Sequence, residues 1–214
     1  ILDSPFNYKE QARTYIPGEL PPPAHPEYFQ NSVIEIERLI TLTDGNALVL
    51  CTSNKNMTAI YNALLEKWNG EIIVQGSAPR SEIVKQFIEN KRSVLVATAS
   101  FWQGVDIPGD DLKLVIIDKL PFSSPQDPVT EARIANLKEQ HIEPFSNYQI
   151  PQAVITLKQG FGRLIRTAGD RGIVAILDSR IVTKHYGRKF INSLPKAPVI
   201  SDFSELETWW EQSK

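Results

Sequence analysis

Several residue types are scarce in this sequence. Its 214 residues include one cysteine, Cys51, and three histidines, which are His25, His141 and His185. A single cysteine excludes an intrachain disulfide framework and a cysteine-ligated metal cluster within the chain. The histidines lie far apart without ligand-like spacing, so the sequence indicates no metal site. Cys51 falls in the apolar run ALVLCT, which predicts an inert buried thiol.

The chain also lacks a strong net charge and a long apolar run. Its formal net charge is −2 and its pI is about 6.0, so no global basic field draws it to nucleic acid. Residues 158–189 nevertheless hold eight Lys and Arg against two acids, so one face can still be basic. No run approaches the length of a membrane span and no signal-peptide pattern occurs, so we expect a cytoplasmic protein with no membrane partner.

What the chain does contain is a repeated strand-helix pattern. Five runs are nearly continuous in apolar residues, as strands buried on both faces are: 47–52, 71–75, 94–98, 114–118 and 173–178. Helical patterns lie between most of them, at 54–68, 79–90, 129–139 and 151–167. The sequence predicts an α/β domain, with a mainly parallel sheet and helices on both faces. We expect an extended, proline-rich lead-in over 1–30, the main domain over 31–200 with an insertion at 123–149, and a terminal helix over 201–214.

Polar residues follow two of the predicted strands. Thr52, Ser53 and Asn54 come after the first strand, and Thr98 ends the third, followed closely by Ser100. Ligands bind beyond the carboxyl ends of parallel strands, and hydroxyls and N–H groups at helix starts bind phosphates. Each residue alone is equally consistent with helix capping. Together they predict a track for a nucleic-acid backbone, on which Trp102 would either stack a base or anchor the core.

The block QGFGRLIR, residues 159–166, raises a separate question. On a helix running from Val154, five residues would fall in one apolar arc: Val154, Leu157, Phe161, Leu164 and Ile165. Gln159, Arg163 and Arg166 would fall in the opposite arc, with two glycines on the flanks. A solvent-exposed face is one interpretation. Guanidinium forks also suit phosphate oxygens, so a phosphate-directed face is the other.

Taken together, these blocks resemble a known family. VLVATASFWQGVDIPG, LVIIDKLPFSSPQDP, ITLKQGFGRLIR and DRGIVAILDSRI occur in this order. They are similar to the second motor domain of the DinG branch of the XPD-like superfamily-two DNA helicases. The match runs from LDSPFNY to about Leu194, and it looks closest to the shorter proteobacterial DinG-like paralogue.

The resemblance implies a RecA-like domain that works with a second one. In this family the first domain holds ATP through a GKT loop and Mg²⁺ through an acidic motif. No G-x-x-x-x-G-K-[ST] occurs in the 214 residues. The family's 4Fe–4S cluster, when present, lies in an insertion of the first domain and needs four cysteines. We therefore expect part of a longer, monomeric protein, with ATP, Mg²⁺ and any cluster held mainly outside these residues.

The resemblance also assigns roles to residues. Gln159, Arg163 and Arg166 would act at the γ-phosphate of ATP bound to the other domain, the arginines as fingers. The residues that would face the nucleotide are Gly104, Asp106 and Gly162, although Asp106 also suits a turn before Pro108. The residues that would face single-stranded DNA are Thr52, Ser53, Asn54, Thr98, Ser100 and Trp102. Asp178 and Arg180 match a family D-x-R block, for which we expect a structural ion pair with the arginine helix.

The hypothesis from the sequence is the C-terminal motor half of an ATP-dependent DNA helicase, 5′ to 3′ by resemblance, in DNA repair or replication. Its partners would be single-stranded DNA and the N-terminal helicase domain of the same polypeptide, in the bacterial nucleoid. A non-catalytic single-stranded nucleic-acid-binding or regulatory module is the alternative. A small phosphotransferase is a third interpretation, and the missing phosphate loop argues against it.

Overall fold

The sheet is parallel throughout. The computed structural model describes residues 6–98, 101, 107, 111–124, 127–162, 164–165, 167 and 169–212. Over these residues the strands are β1 (Ala12–Tyr15), β2 (Ala47–Cys51), β3 (Ile72–Val74), β4 (Val94–Thr98), β5 (Leu114–Ile117), β6 (Gly172–Ile176) and β7 (Val199–Ile200). They pair in the order β3-β4-β2-β5-β6-β1-β7, with every described pairing parallel.

The described helices lie between and beside these strands. They are α1 (Tyr8–Gln11), α2 (Tyr28–Thr43), α3 (Asn54–Leu65), α4 (Arg80–Glu89), α5 (Pro128–Glu139), α6 (Ile150–Phe161), α7 (Arg180–Thr183), α8 (Gly187–Ser193) and α9 (Phe203–Glu211). A π-helical turn at Phe145–Gln149 leads directly into α6. Within the described part of the chain, no helix is both long and apolar enough to cross a membrane.

Alternation along the strands divides the core into two layers. In β2, Leu48 and Leu50 belong to a cluster with α4, α6 and α8, whereas Val49 and Cys51 belong to a cluster with α2, α3 and α9. All five residues of β2 are buried, as expected for a central strand with side chains covered on both faces. The prediction of an α/β fold with helices on both faces is confirmed. The prediction of a buried Cys51 thiol is also confirmed, and burial raises its pKa.

The five predicted strands are present, and their ends differ from the prediction by no more than two residues. β1, β7 and α2 were not predicted. β1 lies within the segment expected to be an extended lead-in, yet it pairs with both β6 and β7. The proposed division into lead-in, main domain and terminal helix stays a prediction.

One predicted helix ends earlier than expected. α6 ends at Phe161, and Gly162 caps it instead of continuing it to residue 167. Leu164 and Ile165 are buried, and a β-carbon added to Gly172 would lie 2.5 Å from Leu164 Cδ1. The chain leaves the helix because these two side chains fill the core where β6 begins. Arg163 and Arg166 lie outside the described residues, so their position on one face with Gln159 stays a prediction. In the predicted apolar arc, Leu157, Phe161, Leu164 and Ile165 are buried and Val154 is partly buried.

Candidate functional site

The strand ends bring two of the predicted DNA-binding positions together. β2 and β4 are neighbours, with Cys51 opposite Thr98, so Thr52 follows β2 beside the last residue of β4. The Thr98 N–H and hydroxyl donate to Oε1 of Gln75, at 2.8 and 2.9 Å. Gln75 follows β3, the edge strand, so three adjacent strand ends are linked at this point. Gln75 was not predicted from the sequence.

The loop from Thr52 to Asn54 forms the start of α3. Ser53 has an extended backbone, and its hydroxyl accepts from the Asn56 N–H at 3.2 Å, which caps the helix. Ser53 and Asn54 are exposed, and Thr52 is partly buried. The twelve-residue helix directs its first N–H groups towards the carboxyl edge of the sheet, where they can bind a phosphate.

Asp118 fixes this loop from behind. Its side chain is buried after β5, and Oδ1 accepts from the Thr52 N–H at 3.0 Å. Oδ2 accepts from Asn56 Nδ2 at 3.0 Å and faces Lys119 Nζ at 3.2 Å. Burial raises the pKa of Asp118, opposed by Lys119 and by these hydrogen bonds. In the sequence, Asp118 ends the apolar run LVIID, which predicts a strand but does not indicate that the acid binds the Thr52 loop.

Asp178 and Arg180 pair with each other. Arg180 donates from Nε to Asp178 Oδ1 at 2.9 Å and from Nη2 to Oδ2 at 2.6 Å. The Asp178 carboxylate is fully buried and also accepts from the Leu120 N–H at 2.9 Å. These hydrogen bonds raise the pKa of Arg180. The expected structural ion pair is present, but its described partners are these two residues and not the arginine helix.

Tyr28 connects the ends of two central strands. Its hydroxyl is within hydrogen-bonding distance of the Leu177 carbonyl oxygen, at 2.9 Å, and of the Asp118 carbonyl oxygen. Burial raises the pKa of Tyr28, so this hydroxyl stays protonated as a donor. The ends of β5 and β6 are therefore tied together beneath the loops that follow them.

The described residues of the QGFGRLIR block contact the sheet at two places. Thr156, Leu157 and Gly160 of α6 line a narrow apolar cleft beside Thr52 and Lys119, at the carboxyl ends of the strands. Four residues later the chain reaches the amino end of β6, where Leu164 meets Gly172.

The predicted site residues that the structure describes belong to two different parts of the fold. Thr52, Ser53, Asn54 and Thr98 lie at the carboxyl edge, whereas exposed Gln159 and Gly162 lie in the last turn and C-cap of α6. The predicted site residues outside the described residues are Ser100, Trp102, Gly104, Asp106, Arg163 and Arg166.

The described residues contain no cluster of metal-ligating side chains. Among them, no group of three or more His, Cys, Asp or Glu side chains is placed to hold a metal ion. The sequence also has no phosphate-binding loop of the G-x-x-x-x-G-K-[ST] type.

The fold is that of RecA-like helicase domains. A solved structure of an XPD helicase aligns with a TM-score of 0.65 over 89% of this chain and 36% of that chain, at 15% sequence identity. S. cerevisiae Dbp5 bound to RNA and ADP BeF3 aligns with a TM-score of 0.59, over 95% of this chain and 45% of that chain, at 15% identity. At these identities the likeness concerns the fold alone.

The sequence comparisons define the family. Residues 36–197 match the helicase C-terminal domain, and the chain belongs to this family. It is 46% identical over 207 residues to the ATP-dependent DNA helicase YoaA of Haemophilus influenzae, covering 96% of this chain and 32% of that protein. It is 36% identical to the protein named 3′-5′ exonuclease DinG of Bacillus subtilis, covering 97% of this chain and 23% of that protein. The resemblance to the DinG- and XPD-like helicases is confirmed, and the chain spans a third or less of these two relatives.

Proposed function

We propose that this chain is the C-terminal motor half of an ATP-dependent DNA helicase. The observation that carries the proposal is the match of 96% of the chain to a section of a relative named as such a helicase. The missing phosphate loop supports it, because a motor half of this kind depends on a partner domain for the nucleotide. In this proposal ATP, Mg²⁺ and any 4Fe–4S cluster are held by the N-terminal helicase domain of the same polypeptide.

Arg163 and Arg166 are the fingers of this motor. They flank Leu164 and Ile165 in sequence, and these two side chains are fixed in the core. Guanidinium groups held beside a γ-phosphate stabilise the charge that develops as it leaves, which is worth about 10³–10⁵ in rate when supplied across an interface. Gln159 positions the attacking water, and Gly104, Asp106 and Gly162 contact the nucleotide. Hydrolysis is then fast only when the two domains close.

The carboxyl edge of the sheet holds the single-stranded DNA. The α3 N-terminus, with Ser53 and Asn54 exposed, supplies N–H groups and side chains for phosphate oxygens. Thr52, Thr98 and Ser100 extend this track, and Trp102 stacks a base. The full protein acts as a monomer in the bacterial nucleoid, moves 5′ to 3′, and serves DNA repair or replication.

The first test is ATP hydrolysis by the full-length protein with and without single-stranded DNA. Arg163→Ala is expected to lower the stimulated rate by at least about 10²-fold while ATP binding is largely kept, because a finger acts mainly in the transition state. Arg133→Ala is the matched control, since Arg133 is an exposed arginine of α5 whose described contact is with the Tyr148 ring. Its rate should stay within about twofold of the native rate.

The alternative gives a different result. A non-catalytic single-stranded nucleic-acid-binding or regulatory module would show no DNA-stimulated hydrolysis, or hydrolysis that Arg163→Ala leaves unchanged. The arginines would then be assigned to DNA phosphates. In that case Arg163→Ala would reduce the slope of log affinity for DNA against log salt concentration by the amount that corresponds to about one phosphate contact.

A further inference from the structure

A side-chain amide clamps the turn that follows the arginines. Gln11, the last residue of α1, donates from Nε2 to the carbonyl oxygens of Thr167 and Asp170, at 2.9 Å each. Its Oε1 accepts from the Asn7 N–H at 2.9 Å. Both amide hydrogens are thus directed at one turn, 156 and 159 residues further along the chain.

The position of Gln11 follows from the sheet register. β1 pairs with β6 so that Ala12 lies opposite Gly172, which places Gln11 beside the residues that enter β6. Those residues are the turn from Thr167 to Asp170. The turn is closed by the Asp170 carboxylate, which accepts from the Thr167 N–H at 2.8 Å and from its hydroxyl at 2.6 Å. Asp170 is buried, so this turn is a well-defined support.

The same N-terminal segment also contacts the other end of the block. The Tyr8 ring packs edge-on against Phe161, with centroids 5.9 Å apart, and Phe161 is the last residue of α6. The arginine segment, which we define as residues 162–166, therefore begins directly after a residue that contacts Tyr8 and ends before a turn held by Gln11. Between these points Leu164 and Ile165 are fixed in the core.

We propose that Gln11 is a positioning residue for phosphoryl transfer, acting through the arginine segment. The inference rests on the proposed function. Arginine fingers must meet the transferring phosphoryl group within a fraction of an ångström, and a misplacement of about 1 Å can cost about 10²-fold in rate. In the turn that follows this segment, the Asp170 carboxylate supplies one side-chain clamp, through the Thr167 N–H and hydroxyl. Gln11 supplies the second, through both amide hydrogens.

The experiment measures single-strand-stimulated ATP hydrolysis by the full-length protein carrying Gln11→Met. Methionine keeps the length of the side chain and removes both donors. We expect kcat to fall by about tenfold, with KM for ATP and the affinity for single-stranded DNA within about twofold of native. Gln11→Glu should lower kcat further, because its carboxylate would face two carbonyl oxygens. Asn7→Ala is the matched control, since Asn7 contributes only backbone groups to the clamp.

A double variant separates positioning from general loss of stability. In an Arg163→Ala background, Gln11→Met should lower kcat by a smaller factor than in the native background, because one of the two arginines that it positions is already gone. An equal loss in both backgrounds would show that Gln11 does not act through Arg163 and would overturn the inference. Thr43→Val removes a buried hydroxyl on the other face of the sheet and should lower the unfolding temperature without lowering kcat.

The two proposals fail differently. If Arg163→Ala leaves hydrolysis unchanged, the helicase assignment of the arginines fails. If Arg163→Ala abolishes stimulated hydrolysis while Gln11→Met and Gln11→Glu both keep native kcat, only the role of Gln11 fails. If Gln11→Met does not fold, the same comparison is made with Gln11→Glu, alone and combined with Arg163→Ala.

Discussion

Replacing a glycine by alanine should have opposite effects on stability at Gly160, within the QGFGRLIR block, and at Gly172, which follows it. At Gly172, a β-carbon would lie 2.5 Å from Leu164 Cδ1 and 2.8 Å from the backbone oxygen of Lys113. Non-bonded carbons prefer about 3.5–4.0 Å, so Leu164 would have to retreat by about 1 Å. At Gly160, a β-carbon would lie 3.7 Å from Ile117 Cδ1, which is an ordinary contact.

These distances give opposite signs for the change in the free energy of unfolding. Overpacking typically costs about 1–3 kcal/mol, which is the loss we expect for Gly172→Ala. Gly160 lies inside α6, where glycine is up to about 1 kcal/mol worse than alanine, so Gly160→Ala should gain about 0.5–1 kcal/mol. For a domain of this size each kcal/mol shifts Tm by about 2–4 °C.

The assay is thermal and urea unfolding of both variants beside the native protein. If Gly172→Ala were as stable as native, or if Gly160→Ala lost more than about 1 kcal/mol, contact distances would not explain why glycine stands at these positions. Hydrolysis adds a second measurement, because Leu164 lies between the two arginines in sequence. Gly172→Ala should therefore also lower kcat in the full-length protein. A stable Gly160→Ala that lost activity would show that this glycine is kept for function.

Three further predictions concern the carboxyl edge. Burial raises the pKa of Asp118 above its ordinary 3.8, so its contribution to stability is present below that pH and is lost as pH rises through the folded pKa. Between pH 4 and 7, the free energy of unfolding in urea should therefore rise for Asp118→Asn relative to the native protein. A difference between the two proteins that stays constant over this pH range would contradict the prediction. Arg180→Ala leaves the buried Asp178 carboxylate with the described backbone donors and should lower the free energy of unfolding by about 3 kcal/mol. Adding Asp178→Asn to this variant should recover part of that loss. If Arg180→Ala alone were as stable as the native protein, the pairing would be refuted. Ser53→Ala removes the cap at the Asn56 N–H and should lower the free energy of unfolding by about 1 kcal/mol. It should also weaken binding of single-stranded DNA in a filter or anisotropy assay. Unchanged binding would show that the start of α3 is not part of the DNA track.

The sheet could be predicted where its strands are buried on both faces. Runs such as ALVLC and VLVAT are apolar without interruption, and this signal depends only on neighbouring residues. β1 reads ARTY and β7 only VI, so neither carries that signal. They become strands because β6 offers β1 a partner from the far end of the chain, and tertiary pairing of this kind is not visible in a local pattern.

The site was partly predictable for the same reason. The strand pattern predicted that Thr52 and Thr98 lie at the same edge of the sheet, whereas their adjacency depends on the pairing of β2 with β4, which the structure supplies. The extent of α6 did not follow, because helical periodicity continues through Leu164 and Ile165 although these side chains are buried where β6 begins. Gln11 could not be connected with Thr167 from sequence, since the contact depends on the register of an unpredicted strand.

The place of β1 in the sheet has a consequence for biosynthesis. Residues 12–15 leave the ribosome before their two partner strands, because β6 begins about 160 residues later and β7 about 185 residues later. At about 5–20 residues per second, β1 waits roughly 10–30 seconds for its first partner strand. The central strands β2, β4 and β5 can assemble in the meantime, whereas the Gln11 clamp forms only after Asp170 has emerged. The support for the arginines therefore forms after the central strands of the sheet.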